Sequence, residues 1–320
     1  PDVCLDRFLH WLFVSPAFRK LGEASMYGAG GQKRVPDDFV RDFRVAFPPL
    51  PEQRAIAAFL DRETAKIDAL VAEQERLIAL LAEKRRTVIS HAVTKGLDPN
   101  APMKDSGVEW PAKVPCDWQV LPLTRVVREF VDYRGKTPNK VDAGVPLITA
   151  TQIKNGKIDH SLDPVFITEE EYEERMTRGF PELGDVLLTT EAPLGEVAQI
   201  EDPSVATGQR IIILKPDQGY VIKRYLFTHF RSLFGQSELW KRASGSTASG
   251  IRADRLRASL VLVPPLDQQQ KIVDYIEAMT AQFVPIEEAI AEQLMLLKER
   301  RAALISAAVT GKIDVRDAVD

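Results

Sequence analysis

Pro48-Pro-Leu-Pro-Glu-Gln-Arg-Ala-Ile56 leads into a stretch, 52–95, that holds neither glycine nor proline. The same phrase returns as Pro264-Pro-Leu-Asp-Gln-Gln-Gln-Lys-Ile272, a fixed 216 residues further on. The offset persists downstream. Leu60 matches Ile276, Leu81 matches Leu297, Ile89-Ser90 matches Ile305-Ser306, and Ala92-Val93-Thr94 matches Ala308-Val309-Thr310. Upstream it becomes 217, with Arg7-Phe8-Leu9 against Arg224-Tyr225-Leu226 and Gly28 against Gly245, so a one-residue slip lies between the blocks. A period this long is no solenoid repeat. It reads as one globular domain plus one long helix, duplicated.

Pro51–Lys95 is rich in Ala, Glu, Leu, Lys and Arg, a composition that favours helix, with proline at its start and Gly96 as its stop. A 4-3 spacing runs through it. Its apolar members are Ile56, Leu60, Ile67, Leu70, Leu77, Leu81 and Val88. The second run gives Ile272, Ile276, Phe283, Ile286, Ile290, Leu297 and Leu304, and Pro285 interrupts it with a kink. Both stripes read as coiled-coil seams. A helix of 45 residues is about 67 Å long, too long to bury its seam on one compact domain. The two copies are therefore expected to pair with each other as an antiparallel coiled coil, with a homodimeric coil as the other arrangement.

Between the helices, 110–265 reads as mixed α and β. Strands are expected at 146–151, 185–190, 196–200, 210–214 and 259–263, and helices at 169–178, 220–239 and 253–256. The fold class is thus α+β, a mixed α/β domain plus two long helices. The boundaries fall at 1–47 (the end of a first globular domain), 48–96 (first helix), 97–109 (linker), 110–265 (complete second domain), 266–312 (second helix) and 313–320 (tail). Subtracting the offset from 110 places the start of the first domain about 106 residues before Pro1. The expected parent is then roughly 425 residues long, and the first domain fragmentary.

Net charge is −4, so the whole chain is no polycation. Charge is uneven, however: 203–265 holds 10 Lys and Arg against 3 Asp and Glu. A local basic bias is the footprint expected of phosphate contact. Five loops join it with residue types that hold phosphates and read base edges: 133–140, 149–157, 189–195, 208–210 and 242–252. Gly135-Lys136-Thr137 is no phosphate-binding P-loop, because Phe130 stands where that motif needs glycine.

Other classes find no support in the sequence. Cys4 and Cys116 form no CxxC pair, and His10, His91, His160 and His229 show no metal spacing, so no metal site is expected. No apolar run approaches a membrane span and no signal peptide is read at the start, which makes the expected location cytoplasmic, away from membrane. There is no GxGxxG unit, no GxSxG elbow and no Asn-Pro-Pro-aromatic motif for methylating a base amine.

The order of these parts resembles the specificity subunit of type I restriction–modification systems. The resemblance rests on the two Pro-Pro-Leu openings, Arg134-Gly-Lys-Thr-Pro138, Gly184-Asp-Val-Leu-Leu188, Gly245-Ser-Thr247, and the helix ends Lys84-Arg-Arg86 and Arg300-Arg301, and it covers essentially the whole chain. It implies target-recognition domains that each read half of a bipartite site in double-stranded DNA. Two helices act as the ruler between the half-sites and dock two methyltransferase subunits. Two restriction subunits join in assemblies that also cut. It implies no catalysis and no cofactor on this chain, with S-adenosylmethionine, Mg and ATP on the partners. Asp267-Gln268 departs from the Pro51-Glu52 of the first copy. The residues expected to meet DNA are Arg134, Lys136, Thr137, Lys154, Lys157, Arg242 and Arg252 for phosphates or guanine edges. Gln152, Asn155, Thr189, Gln209, Ser246 and Thr247 would make polar contacts. A coiled-coil scaffold that binds only protein is the alternative, and an enzyme with an unrecognised site is the third class.

Overall fold

The computed structural model describes residues 4–28, 33–133, 137–245 and 250–315. The chain divides into two compact units, 1–81 with 283–320, and 82–282.

The unit 82–282 is built on a four-stranded antiparallel sheet in the order Leu194–Gln199, Val186–Thr190, Ile211–Pro216, Val127–Asp132. The run Ile211-Ile-Ile-Leu214 has no polar alternation, and every residue of its strand and of Val186–Thr190 is buried. Both faces are therefore covered. Val186, Leu188, Ile212 and Leu214 enter one core, which also takes in Trp118, Phe230 and Phe234. Leu187, Ile211 and Ile213 enter the other, with Leu147, Ile148, Ile167 and Met176. Burying a side chain of this size is worth about 1.5–3 kcal/mol, so the alternation of one strand between two cores holds both halves of the domain.

Three expectations change here. The helix read over 220–239 is two helices, Lys223–Arg231 and Leu233–Trp240, because Ser232 breaks the run and its Oγ caps the second by accepting from Gly235 N at 3.0 Å. Val127–Asp132 was not expected as a strand; its three charged residues masked an edge position. The linker 97–109 carries a strand, Met103–Asp105, paired with Lys113–Pro115. Its turn is held by Ser106 Oγ, which bonds the Pro111 carbonyl.

The unit 1–81 with 283–320 is helical. Asp6–Val14 and Pro16–Ala24 lie with the start of the long helix Leu50–Lys95 and the end of the helix Val284–Val309. Phe8, Trp11, Ile56 and Leu60 share a core with Ile305, Ala308 and Val309. Leu81 packs instead with Phe283 and Ile290, and Arg301 Nε donates to Asp68 Oδ1 at 2.8 Å. Low numbers on one helix meet high numbers on the other, so the pairing is antiparallel. The second run is not one kinked helix but two, Leu266–Ala281 and Val284–Val309. Pro285 lacks an N–H and its ring would meet the carbonyl of Ala281, so it is accommodated only in the first turn of a new helix.

Burial shifts the expected seam by one residue at every second position. Ile56, Leu60, Ile67, Leu81, Ile272, Ile276, Phe283 and Ile290 are buried, and Val88, Leu297 and Leu304 half-buried. But Leu70, Leu77 and Ile286 are exposed. The partners of the buried line are Ala57, Thr64, Val71, Thr280, Glu287 and Leu294. The 4-3 spacing takes Glu63, Leu70 and Met279 where burial takes Thr64, Val71 and Thr280. Thr64 and Thr280 are buried or half-buried because each hydroxyl donates to a carbonyl one turn back, Leu60 at 2.6 Å and Ile276 at 2.8 Å.

The repeat is visible bond by bond. Asp6–Val14, Pro16–Ala24 and Asp37–Arg41 correspond to Lys223–Arg231, Leu233–Trp240 and Ala253–Arg257. Tyr27 bridges Arg34 as Ser244 bridges Gly250, which puts the slip inside the enclosed loops. Arg7 pairs with Asp61, and Arg224 with Glu277. Most telling are two fully buried glutamines. Gln53 accepts from Leu5 N at 2.7 Å and donates to the Pro48 carbonyl at 2.8 Å. Gln269 accepts from Ile222 N at 3.0 Å and donates to the Pro264 carbonyl at 2.8 Å. The shared glutamine of the two Pro-Pro-Leu phrases pins the start of a long helix to the residue before the first helix of its copy, Asp6–Val14 or Lys223–Arg231.

Candidate nucleic-acid interface

Short backbone bonds at the ends of the central strands gather the expected loops. Thr190 N donates to the Arg210 carbonyl at 2.8 Å and Ile251 N to the Thr190 carbonyl at 2.9 Å. Glu191, at the tip of the hairpin 186–199, bridges Gly250 and forms an ion pair with Arg210 at 3.0 Å. Gln209 Nε2 donates to Thr137 Oγ1 at 2.7 Å, and Gly208 N to the Ile148 carbonyl at 2.8 Å. The loops 133–140, 189–195, 208–210 and 242–252 thus meet at one edge of the domain. The fifth, 149–157, lies against the strand Leu194–Gln199, where Asn155 N donates to Glu196 Oε2 at 3.1 Å.

A buried frame holds the first loop. Arg175 is buried, stacks 5.2 Å from the Tyr133 ring centre, and donates to the Thr207 carbonyl from Nε at 3.2 Å and Nη2 at 3.1 Å. Burial pushes the Tyr133 hydroxyl up to about 12, so it stays a donor, to the Gly179 carbonyl. Tyr133, at the start of the first loop, is therefore fixed from both sides.

The expected contact residues divide by environment. Lys154, Asn155 and Lys157 are exposed on the tight hairpin 153–158, turned by the positive φ of Asn155 (53°) and Gly156 (84°). Thr137 and Arg252 are exposed too, and Arg252 lies 3.5 Å from Asp254. Gln209 is half-buried and reaches Thr137. Arg242 is half-buried and pairs at 2.7 Å with Glu238, which is itself buried. Two placements correct the expectation. Gln152 is buried, with Oε1 accepting from Thr149 N at 2.8 Å and Nε2 donating to the Leu162 carbonyl at 2.9 Å. Thr189 is buried, with Oγ1 accepting from Glu196 N at 2.9 Å. Both shape loops from within, since their polar atoms are already engaged. Arg134, Lys136, Ser246 and Thr247 lie outside the described residues.

The basic excess of 203–265 is largely paired. Arg210 meets Glu191, Lys215 and Lys223 meet Glu182 and Asp185, Arg224 meets Glu277, and Lys241 and Arg242 meet Glu238. Lys215 holds the Glu182 carboxyl below its usual range. Arg257 stacks 4.8 Å from the Phe130 ring centre. Counting charges along the sequence overstated the field, because several of these carboxylates come from elsewhere in the chain. Arg231 is not singled out by the sequence, and Arg85 and Arg86 enter there only as part of the helix end Lys84-Arg-Arg86, not as DNA contacts. Arg231 lies inside an amphipathic helix, and the other two on a helix far from it in number; only the fold brings them together. Among the described residues no group of His, Cys, Asp and Glu could hold a metal ion, and no helix is long and apolar enough to cross a membrane.

Comparison with known proteins agrees with this layout. The model of the type I restriction modification DNA specificity domain matches residues 115–296. The EcoBI specificity subunit of Escherichia coli is 22% identical over 289 residues, which are 88% of this chain and 60% of that protein. The MjaVIII specificity subunit of Methanocaldococcus jannaschii is 23% identical over 316 residues, 96% of this chain and 71% of that protein. The chain thus spans about 60% of the length of the first of these relatives. A solved chain, from work on complex assembly and conformational transition of the type I system, shares the fold with a TM-score of 0.58 and 21% identity. It is matched over 96% of this chain and 71% of its own length. The family match covers more than half of the chain, from the first strands of the domain into the second long helix, and the chain belongs to the type I restriction–modification DNA specificity family.

Proposed function

We propose that the chain is the non-catalytic, sequence-reading subunit of a type I restriction–modification complex. The observation that carries this is the family match over 115–296, which takes in all five loops. The domain 110–265 reads one half of a bipartite duplex site through the edge where its loops meet. Exposed polar and basic groups at that edge, Thr137 and Arg252, and on the hairpin 153–158, Lys154, Asn155 and Lys157, are of the kinds that bond phosphates and base edges. The paired helices set the unread spacer and dock two methyltransferase subunits, with restriction subunits added where the complex cuts DNA. Exposed apolar side chains on the helices of the unit 1–81 with 283–320 support docking: Leu70, Leu80, Met295 and Leu296 are all at least half exposed. S-adenosylmethionine, Mg and ATP belong to the partners in this reading, and the complex works in the cytoplasm.

Two binding modules on a stiff spacer gain effective concentration only when the site spacing matches. The test is co-purification with the methyltransferase subunit, followed by duplex titration at several salt concentrations. A stable complex with steep salt dependence and a preferred sequence is expected. A complex that forms without binding DNA would instead favour a protein-binding scaffold.

A further inference from the structure

Beside the loop edge lies a cleft of about 370 Å³, within the unit 82–282. Arg85 and Arg86 line it from the long helix, Arg231 from the helix Lys223–Arg231, and Asn155 and Gly156 from the tight hairpin. Leu194–Val197 forms another wall, continuous with the hairpin tip where the loops gather.

Arg231 is the centre of it. Its guanidinium stacks 5.1 Å from the Phe227 ring centre and donates one long bond, from Nη2 to the Asn155 carbonyl at 3.4 Å. A guanidinium has five N–H donors. Among the described residues no carboxylate lies within 4.0 Å of Arg231, and Arg86, exposed, has no partner. Glu196 lines the cleft and offsets one positive charge, but its Oε2 is already engaged by Asn155 N. Arg231 and Arg86, set against Glu196 as the one carboxylate of the lining, leave the cleft net positive. Burial and the neighbouring Arg85 both disfavour the charged form of Arg231. Repulsion of that kind is relieved when an anion enters.

The walls also leave room. A Cβ on Gly156 would stand 2.8 Å from Arg231 Cζ, so only glycine lets the hairpin backbone reach the guanidinium. Trp240, half exposed, closes the far side. Open on one side and continuous with the loop edge, the cleft suits a strand of linked phosphates better than a small enclosed anion.

We infer that Arg231 and Arg86 form a phosphate clamp for the DNA backbone, flanking the edge that reads the bases. This rests on the DNA-reading role proposed above. A phosphate contact positions without specifying sequence.

The experiment titrates cognate and scrambled duplexes with the full chain, alone and assembled with its methyltransferase subunits, over a range of KCl. Wild type is compared with Arg86→Gln, Arg231→Gln and the double variant. Each single change is expected to lower the slope of log K against log salt by about 1, so each doubling of salt costs roughly twofold less affinity than in wild type. Cognate and scrambled duplexes should weaken by the same factor. Arg86 is exposed, so Arg86→Gln tests the clamp even if Arg231→Gln unfolds. Unchanged slopes in a wild-type protein that binds DNA steeply would overturn the clamp alone, as would a loss confined to the cognate duplex. A wild-type protein that binds no duplex would overturn both the clamp and the DNA-reading role.

Discussion

Replacing Gln269 separates a structural pin from a mere buried polar residue. Its amide is fully buried and serves three backbone groups: Ile222 N at 3.0 Å, the Tyr220 carbonyl at 2.7 Å and the Pro264 carbonyl at 2.8 Å. Each group left buried and unpaired costs about 1–3 kcal/mol. Gln269→Ala opens space in which water can replace part of the amide, so about 2–4 kcal/mol is expected. Gln269→Leu fills that space and excludes water, so it should cost more than alanine despite being nearly isosteric. Gln269→Glu keeps an acceptor for Ile222 N but turns a carboxylate oxygen toward two carbonyls. The new carboxyl folds best when protonated, so its folded pKa lies above its unfolded one. The stability it retains is present at low pH and lost as pH rises. Native-state hydrogen exchange of 218–226 reads the opening free energy within the unit. Gln53→Ala serves as the internal control and should loosen 5–12 while leaving 218–226 protected. Wild-type protection in Gln269→Leu, or a leucine variant more stable than the alanine one, would refute the pin.

Other outcomes follow from the same structure. His229 is fully buried, and burial holds its imidazole down at about 4 against an ordinary 6.5. The unfolded chain therefore takes the proton first, and stability present above about pH 6.5 should fall as pH drops toward 4, by up to about 3 kcal/mol. Urea midpoints between pH 7 and 4.5 check this, and the trend should flatten in His229→Leu, the residue type of the corresponding Leu12. On the long helix, Ile67→Ala should cost about 2–4 kcal/mol and Leu70→Gln under 1, because Ile67 is buried and Leu70 is 52% exposed. Equal losses by thermal melting would restore the seam read from sequence. Gly235→Ala should cost more than 2 kcal/mol, since its Cβ would stand 2.2 Å from the His229 carbonyl oxygen, and a folded, unperturbed variant would contradict that contact.

Much of the fold was legible because the repeat is written in local signals. Helix caps, the Pro-Pro-Leu phrase and the apolar run Ile211–Leu214 depend on neighbours in sequence, and the strand and helix assignments built on them mostly hold. The seam register was not legible. Choosing between Leu70 and Val71, or Glu63 and Thr64, depends on a partner helix more than 200 residues away and on hydroxyls that satisfy themselves within their own turn. The loops were legible as loops, and their convergence follows from strand order. The roles of Gln152 and Thr189 were not, because a polar residue in a loop reads alike whether it faces solvent or braces the turn. Arg231 was invisible for the opposite reason: its helix looked like ordinary packing, and its neighbours in space come from two other segments.

The most direct measurement is a genome-wide map of methylated adenines in cells expressing this chain with its methyltransferase subunit, with and without exchange of residues 110–265 for the matching domain of a relative. A bipartite motif with a fixed gap is expected, in which the exchange rewrites one half and leaves the gap unchanged. Methylation independent of this chain, or a motif unaltered by the exchange, would contradict the sequence-reading role.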